Sequence, residues 1–204
     1  MHLRPAFTEH DTARIRAHIH DHPFGVLVTT GPRGIEASHI PFALQEAEAG
    51  DGFVLHGHLA AGNAQCAALD GGDALAVFGG PHAYISPAWY RVQPAVPTWD
   101  YAAVHVSGRL EPVSDSAEVE AGLQALAEYD PVGFRVDAME PGFKARMLAG
   151  IRAFRLVPGR VEAQWKMSQN RGVADRQGVI TALRARGDAA SAEVAALIEA
   201  TLPV

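Results

Sequence analysis

The sequence has one cysteine, Cys66, among its 204 residues, and it is poor in positive charge. A single cysteine cannot form an internal disulfide bond, so we expect that the apolar core stabilises the fold. We also expect that the protein is located in a reducing compartment. Its 17 lysines and arginines are outnumbered by 23 acidic residues, which gives a net charge of −6. Proteins that bind DNA mainly through its phosphates normally have a basic surface. The overall charge argues against that class and leaves only a local basic patch open.

Long apolar runs are also missing. No run approaches the roughly 20 residues that a helix needs to cross a bilayer. The first residues, Met1 to Pro5, lack the apolar stretch of a signal peptide. We therefore expect a cytoplasmic protein without a membrane span. His18 and His22 would share one face of a helix, but no carboxylate motif accompanies them, so we expect no metal site.

Hydrophobic periodicity predicts short strands with helices at the margins. Strands are expected at 24–30, 35–44, 53–58, 74–78, 82–85, 99–110, 151–157 and 161–165. Gly79-Gly80-Pro81 and Pro158-Gly159 are interpreted as turns between strands. Helices are expected at 8–22, 62–69, 118–129, 143–148 and 176–202, the last broken at Gly187. This order predicts a mainly β protein with peripheral helices (α+β), and a barrel rather than a sheet of βαβ units.

Five blocks of sequence, taken in order, resemble the PaiB family of FMN-binding negative transcriptional regulators. They extend over most of the chain, from about Met1 to Leu183. The blocks are HPFGVLVT at 22–29, ASHIP at 37–41, GHLA and NAQ within 57–65, GPHAYISPAWY and VPTWDY within 80–101, and WKMSQNR at 165–171.

The resemblance implies an FMN-binding split β-barrel over residues 1–171, with a helical tail over 172–204 packed on it. It also implies a homodimer with its flavin sites at the subunit interface. The candidate cofactor-binding residues within these blocks are Ser38, His39, His58, Asn63, Tyr84, Ser86, Trp89, Trp99, Lys166, Gln169 and Arg171.

FMN requires donors for a dianionic phosphate, a slot for its ring and donors near the ring edge. Asn63 would begin the helix predicted at 62–69, and the N–H groups at a helix N-terminus suit a phosphate. Ser38 and His39 could add side-chain donors. The alternative interpretation is that Asn63 only caps the helix and that the other two satisfy barrel backbone groups.

Aromatic residues are concentrated between His82 and Tyr101, where their flat surfaces suit a planar ligand. Such a cluster fits a core or a dimer interface equally well. Lys166 and Arg171 could stabilise a phosphate or the charge of a reduced flavin, and Gln169 could bond the ring edge. Lysine and arginine on a loop are also common as solvated surface side chains.

Two functions follow from these observations, and a third possibility stays open. The first is a flavin-dependent regulator that acts on DNA directly or through a regulatory protein. The second is a small flavoenzyme, an FMN reductase or oxidase that uses NAD(P)H or an amine donor. Family members usually carry an arginine and a proline where this chain has Ala61 or Gly62 and Ala64, and an aromatic residue at Cys66. The third possibility is therefore a site for another ligand, such as haem, or for none.

The helix pair predicted at the C-terminal end is a candidate DNA-reading motif. Its second helix, at 190–201, contains Glu193 and Glu199 and has no lysine or arginine. A recognition helix needs basic or amide side chains to contact base edges. We therefore expect that this pair does not read a DNA groove.

Overall fold

The computed structural model describes residues 1–47 and 52–203, and in them the strands form one sheet. The strands are β1 (Phe24–Gly31), β2 (Gly34–Pro41), β3 (Ala43–Glu46), β4 (Phe53–Ala60), β5 (Asp73–Ile85), β6 (Thr98–Val113) and β7 (Ile151–Lys166). Their order is β2-β1-β5-β6-β7-β4-β3. Strand β1 pairs antiparallel with β2 and β5, and β4 pairs antiparallel with β3 and β7.

The helices follow the predicted order along the chain. They are α1 (Thr12–Asp21), α2 (Ser116–Ala127), α3 (Pro141–Ala149), α4 (Val173–Arg186) and α5 (Ala189–Glu199), with short 3-10 turns at Ala64–Ala68, Pro87–Trp89 and Val136–Ala138. Helix α1 begins at Thr12 and not at Thr8, because Asp11 Oδ1 accepts hydrogen bonds from the backbone N–H groups of Ala13 and Arg14. No helix among the described residues is both long and apolar enough to cross a membrane.

The chain divides into two compact units. The first, here called the barrel unit, comprises 16–78 and 105–161. The second, here called the terminal unit, comprises 1–15, 79–104 and 162–204. The boundary expected at residue 171 stays a prediction.

Phe42 determines the curvature of the sheet in the barrel unit. Strands β2 and β3 stand at opposite ends of the strand order, yet only Phe42 separates them in the chain. The sheet must therefore curve back on itself to bring its two ends together. Phe42 is 1% exposed, and its ring meets those of Phe78 and Phe154 edge-on, with centroids 5.3 Å and 6.3 Å away. The single strand predicted at 35–44 is interrupted at this corner.

The predicted turns at Gly79-Gly80-Pro81 and Pro158-Gly159 are wrong, because β5 and β7 run through them without a break. The pairing of β5 with β1 ends at Val77, and that of β7 with β4 ends at Leu156. Both prolines lie beyond these ends, where the lack of a backbone N–H removes no hydrogen bond of those ladders. The two strands predicted on each side of each turn are single long strands.

Gly108 marks a close approach between β6 and β7. A Cβ added to Gly108 would lie 2.0 Å from the carbonyl oxygen of Val157 and 3.0 Å from the Cα of Pro158. A Cβ at Gly159, in the neighbouring strand, would find its nearest atom 3.9 Å away. A side chain is therefore excluded at the first glycine and tolerated at the second.

We expect Gly108→Ala to lower the free energy of unfolding by about 2–3 kcal/mol, since the strand must shift to relieve contact with rigid backbone. Gly159→Ala is the matched control, and its effect should stay within about 1 kcal/mol. Urea-induced unfolding followed by circular dichroism measures both. Equal losses in the two variants would contradict the assigned close approach.

Helix α1 carries a buried histidine. His18 is 6% exposed, and its ring centroid lies 4.6 Å from that of His22. Burial, with a smaller contribution from the neighbouring His22 charge, lowers the pKa of His18 to about 4. The pair is not part of a larger cluster: the described residues contain no group of three or more metal-ligating side chains.

This depressed pKa predicts acid sensitivity. The pKa of His18 is 6.5 in the unfolded chain and about 4 in the folded protein. As the pH falls from 6.5 to 4, the unfolded chain therefore takes up a proton that the folded protein does not. The free energy of unfolding is highest above pH 6.5 and decreases through this range. The protein should lose about 3 kcal/mol of stability over this range. His18→Gln should flatten the dependence, whereas His10→Gln, at an exposed position, should not. Unfolding curves between pH 4 and 7 test this, and identical slopes for wild type and His18→Gln would refute it.

The terminal unit ends in an antiparallel pair of helices. Gly187, with φ of 74°, ends α4 where the break was predicted. Apolar side chains of both helices are buried in the pair, among them Val179, Ile180, Leu183, Val194, Ala195 and Ile198.

Candidate functional site

The predicted cofactor-binding residues fall into two groups, one in each unit. Those of the barrel unit are Ser38, His39, His58 and Asn63, and those of the terminal unit are Tyr84, Ser86, Trp89, Trp99, Lys166, Gln169 and Arg171.

In the barrel unit the structure brings Ser38 and Asn63 together. The Nδ2 of Asn63 donates to Ser38 Oγ at 3.0 Å, and its Oδ1 accepts from the backbone N–H of Gln65 at 2.9 Å. Asn63 thus caps the turn Ala64–Ala68, which is a five-residue 3-10 helix instead of the longer helix expected at 62–69. His39 follows Ser38 on β2 and is exposed, with its ring stacked 6.2 Å from that of Phe24.

Gln65 is a candidate cofactor-binding residue that was not among those predicted from the sequence. It is 2% exposed, and its Nε2 lies 3.0 Å from Thr29 Oγ1, 3.3 Å from Leu27 O and 3.2 Å from Glu36 O. These contacts fasten the 3-10 turn to the β1–β2 hairpin. Its buried Oε1 has no hydrogen-bond partner among the described residues. The only sequence signal for Gln65 was its place in the block at 57–65.

His58 lies on β4 and faces a different environment. It lines an apolar cavity together with residues of α2, α3 and the 3-10 turn Val136–Ala138. Burial lowers the pKa of His58, so the imidazole is neutral at physiological pH.

In the terminal unit, Lys166 is held by internal oxygens. Its Nζ contacts Thr98 Oγ1, the backbone oxygen of Trp99 and, at 3.4 Å, Asp100 Oδ1. Asp100 is fully buried and also accepts a hydrogen bond of 2.6 Å from Ser168 Oγ. Burial raises the pKa of Asp100 although Ser168 and Lys166 both favour its charged form. The charge of Lys166 is therefore balanced within the fold.

Gln169 closes the turn that follows β7. Its Oε1 accepts from the backbone N–H of Met167, and its Nε2 donates to the backbone oxygen of Trp165, both at 2.6 Å. Ser168, inside this turn, has φ of 57°, a left-handed conformation that is uncommon for a residue other than glycine. The Gln169 amide thus keeps one N–H for any other acceptor.

Arg171 differs from Lys166 because its charge is not balanced by a carboxylate. Its guanidinium carbon lies 4.3 Å from the ring centroid of Tyr90. Burial raises the pKa of Tyr90, while hydrogen bonds from Ser168 and Arg171 partly offset that rise. In the described part of the chain no acidic side chain forms an ion pair with Arg171. Of the two predicted cations, Arg171 is the one that can offer its charge to an anion.

Aromatic side chains form an exposed cluster in the same unit. Tyr84 and Trp99 are 42% and 54% exposed, and their rings meet edge-to-face at 6.1 Å. The ring of His82 lies 5.8 Å from that of Trp99. Ser86 Oγ caps the turn Pro87–Trp89 by accepting from the backbone N–H of Ala88, and Trp89 is half-buried beside it.

These groups fit the chemistry of FMN. The exposed face of an aromatic ring suits the isoalloxazine ring, and an arginine without a carboxylate suits an anionic group. In the barrel unit, the buried Oε1 of Gln65 is an acceptor for a hydroxyl or imide N–H donor. When bound, FMN would supply hydride or electron transfer.

The curved sheet and these donor groups define the class of flavin-binding split-barrel proteins. The FAD and haem binding protein from Mycobacterium smegmatis shares the fold, with a TM-score of 0.58 and 16% identity over 78% of this chain and 73% of that chain. A conserved hypothetical protein from Mycobacterium tuberculosis does so with a TM-score of 0.62 and 14% identity over 83% of this chain and 92% of that chain. The predicted split-barrel fold is confirmed.

Sequence comparison then identifies the family. The family model described as "Putative FMN-binding domain" matches residues 1–159. The chain is also 32% identical over 187 residues to protease synthase and sporulation protein PAI 2 of Bacillus subtilis, covering 89% of this chain and 88% of that protein. The chain belongs to the PaiB family of FMN-binding proteins, and FMN is its cofactor.

Proposed function

We propose that this PaiB-family protein is a cytoplasmic, FMN-binding homodimer that represses transcription, and that Arg171 binds an anionic group of the flavin. The assignment of Arg171 rests on the environment of its guanidinium. This group lies over the Tyr90 ring and forms no ion pair with a carboxylate of the described chain. A charged hydrogen bond to a phosphate is among the strongest that a side chain makes. The buried Tyr90 ring holds the guanidinium in place before the ligand arrives.

The other predicted residues of the terminal unit have different roles in this proposal. Tyr84 and Trp99 provide the surface on which the flavin ring lies, with Ser86 and Trp89 beside it. Gln169 donates its remaining N–H to the cofactor. Lys166 is a positioning residue, because its three oxygen partners hold the ends of β6 and β7 in register.

In the barrel unit, Ser38, His39 and Asn63 are proposed donors, and Gln65 is a proposed acceptor. Asn63 and Ser38 already bind one another, so the pair is fixed before any ligand arrives. This fixed geometry lowers the conformational entropy that binding would otherwise lose.

We expect Arg171→Gln to weaken FMN binding by about tenfold to a hundredfold, because a charged hydrogen bond to an anion is lost. The matched control is Arg14→Gln. Arg14 also lies over an aromatic ring, that of Trp165 at 5.4 Å, but it is paired with Glu9. Its substitution should leave the Kd within about twofold.

Quenching of FMN fluorescence during titration gives the Kd of each variant. Ser38→Ala and Asn63→Ala, measured alongside, report on the barrel-unit donors independently. An unchanged Kd for Arg171→Gln, or equal weakening by Arg14→Gln, would remove Arg171 from the site.

Exposed apolar side chains support the proposal of a homodimer. The terminal unit leaves Tyr84, Val92, Val96 and Trp99 between 42% and 70% exposed. Apolar surface of this kind commonly marks a protein interface. A second copy of the chain is the partner that the family resemblance implies.

The proposed repression is indirect. Helix α5 has no lysine or arginine, and the arginines of α4 have internal partners. Arg176 donates to Thr201, Arg184 pairs with Glu199, and Arg186 pairs with Asp188. A helix pair with these properties does not suit base-edge contacts, so a regulatory protein partner is favoured. The comparisons do not favour the alternative of a flavin reductase or oxidase.

A deletion of the gene in its host tests this role. Transcripts of its targets should rise, and they should fall again with wild-type protein or Arg14→Gln but not with Arg171→Gln. The purified FMN-loaded protein should not retard the corresponding promoter DNA at low salt. Retardation with a steep salt dependence would establish direct DNA binding, and unchanged transcripts would refute the regulatory role.

A further inference from the structure

The helical segment between β6 and β7 lines one side of an open cavity in the barrel unit. This segment, here called the cap, consists of α2, the 3-10 turn Val136–Ala138 and α3. The cavity between the cap and strand β4 has a volume of about 460 Å³, within the range of small-molecule sites. Its walls are mainly apolar and include Leu123, Leu126, Val136, Met139, Met147 and Ile151.

His58 is a polar group within this apolar wall. Burial alone lowers its pKa, with no contribution from a neighbouring charge or hydrogen bond. Its two ring nitrogens have no hydrogen-bond partner among the described residues. A neutral imidazole offers one N–H donor and one acceptor nitrogen. The cavity therefore contains a hydrogen-bonding group that the fold itself does not use.

The charge at the cavity favours a neutral ligand. Lys144 is the cation that lines it, and its Nζ lies 2.8 Å from Glu120 Oε2. This ion pair balances the ammonium charge. A dianionic phosphate would need an unbalanced cation here, so the cavity does not suit FMN.

The segment that contains the cap has many exposed apolar side chains. Thirteen large apolar side chains are exposed in the described chain, and five of them belong to the residues between Ser116 and Ala149. These five are Tyr129, Val132, Phe134, Phe143 and Met147. Two of them, Phe134 and Met147, line the cavity, and exposed apolar surface commonly marks a binding site.

We propose that the cap cavity is a second ligand site, separate from the flavin, that binds a neutral apolar small molecule through one hydrogen bond to His58. The walls accept the apolar body of the ligand, and His58 selects for a hydroxyl or carbonyl on it. The resemblance implied a flavin contact for His58, and this assignment gives the residue a different ligand.

The experiment uses two probes of the same shape, naphthalene and 2-naphthol, with the full-length FMN-loaded protein. Binding is followed by probe fluorescence and by calorimetry. Both probes should bind, and 2-naphthol should bind more tightly. His58→Leu should weaken 2-naphthol by about threefold to tenfold, the size of one neutral hydrogen bond, and should leave naphthalene within about twofold.

Two further variants test the location. Leu126→Trp places an indole in the cavity and should abolish binding of both probes. Val132→Trp adds the same side chain at a position of the same segment that is 90% exposed, so both probes should still bind. The unfolding midpoint of each variant is measured. If Leu126→Trp has a much lower midpoint than the wild type, the proposal is judged from the effect of His58→Leu on 2-naphthol relative to naphthalene.

Three results would overturn the proposal. They are absence of binding by both probes, equal weakening of both probes by His58→Leu, and displacement of naphthalene by FMN titrated into the cofactor-free protein. The last result would assign the cavity to the flavin site.

Discussion

The position of Phe42 is the constraint on which the barrel unit depends. Because a single residue joins the two ends of the strand order, the sheet has to curve until those ends meet. The buried Phe42 ring packs against Phe78 and Phe154, so the residue that turns the corner also fills the space that the curvature creates. The curved sheet in turn fixes β2 with Ser38 and β4 with His58. Both binding proposals in this unit therefore depend on the same corner.

The terminal unit is organised around a buried charge. Asp100 has no exposed surface, and the fold surrounds it with Lys166 and Ser168. Removing a carboxylate from water is unfavourable unless charged and hydrogen-bonding partners compensate for it. The lysine that compensates Asp100 is no longer available to a ligand. Lys166 and Arg171 look equivalent in the sequence, but their environments differ. Lys166 is paired with Asp100, whereas Arg171 has no carboxylate partner among the described residues.

The sequence predicted the class of fold, most strand positions and the break at Gly187, because alternation of apolar residues and glycine conformation are local properties. It failed at Gly79-Gly80-Pro81 and Pro158-Gly159. Whether a proline can stay in a strand depends on whether its neighbour is still paired there, and that pairing is a tertiary property. For the same reason the sequence did not predict that Lys166 is internally bonded, that Gln169 closes its own turn, or that Gln65 is buried with an unused acceptor.

The departures from the family pattern acquire a physical meaning from this structure. The backbone N–H of Ala61 donates to Gly150 O at 2.8 Å, and the Sγ of Cys66 lies 3.5 Å from Ala60 O, so local hydrogen bonds hold this segment without a charged side chain. A five-residue 3-10 turn also provides fewer aligned N–H groups than an α-helix does for a phosphate. Without a cation at these positions, the anionic charge of FMN has to be balanced elsewhere. Since Lys166 is already paired with Asp100, our proposal assigns the balancing of the flavin's anionic charge to Arg171, which has no carboxylate partner among the described residues.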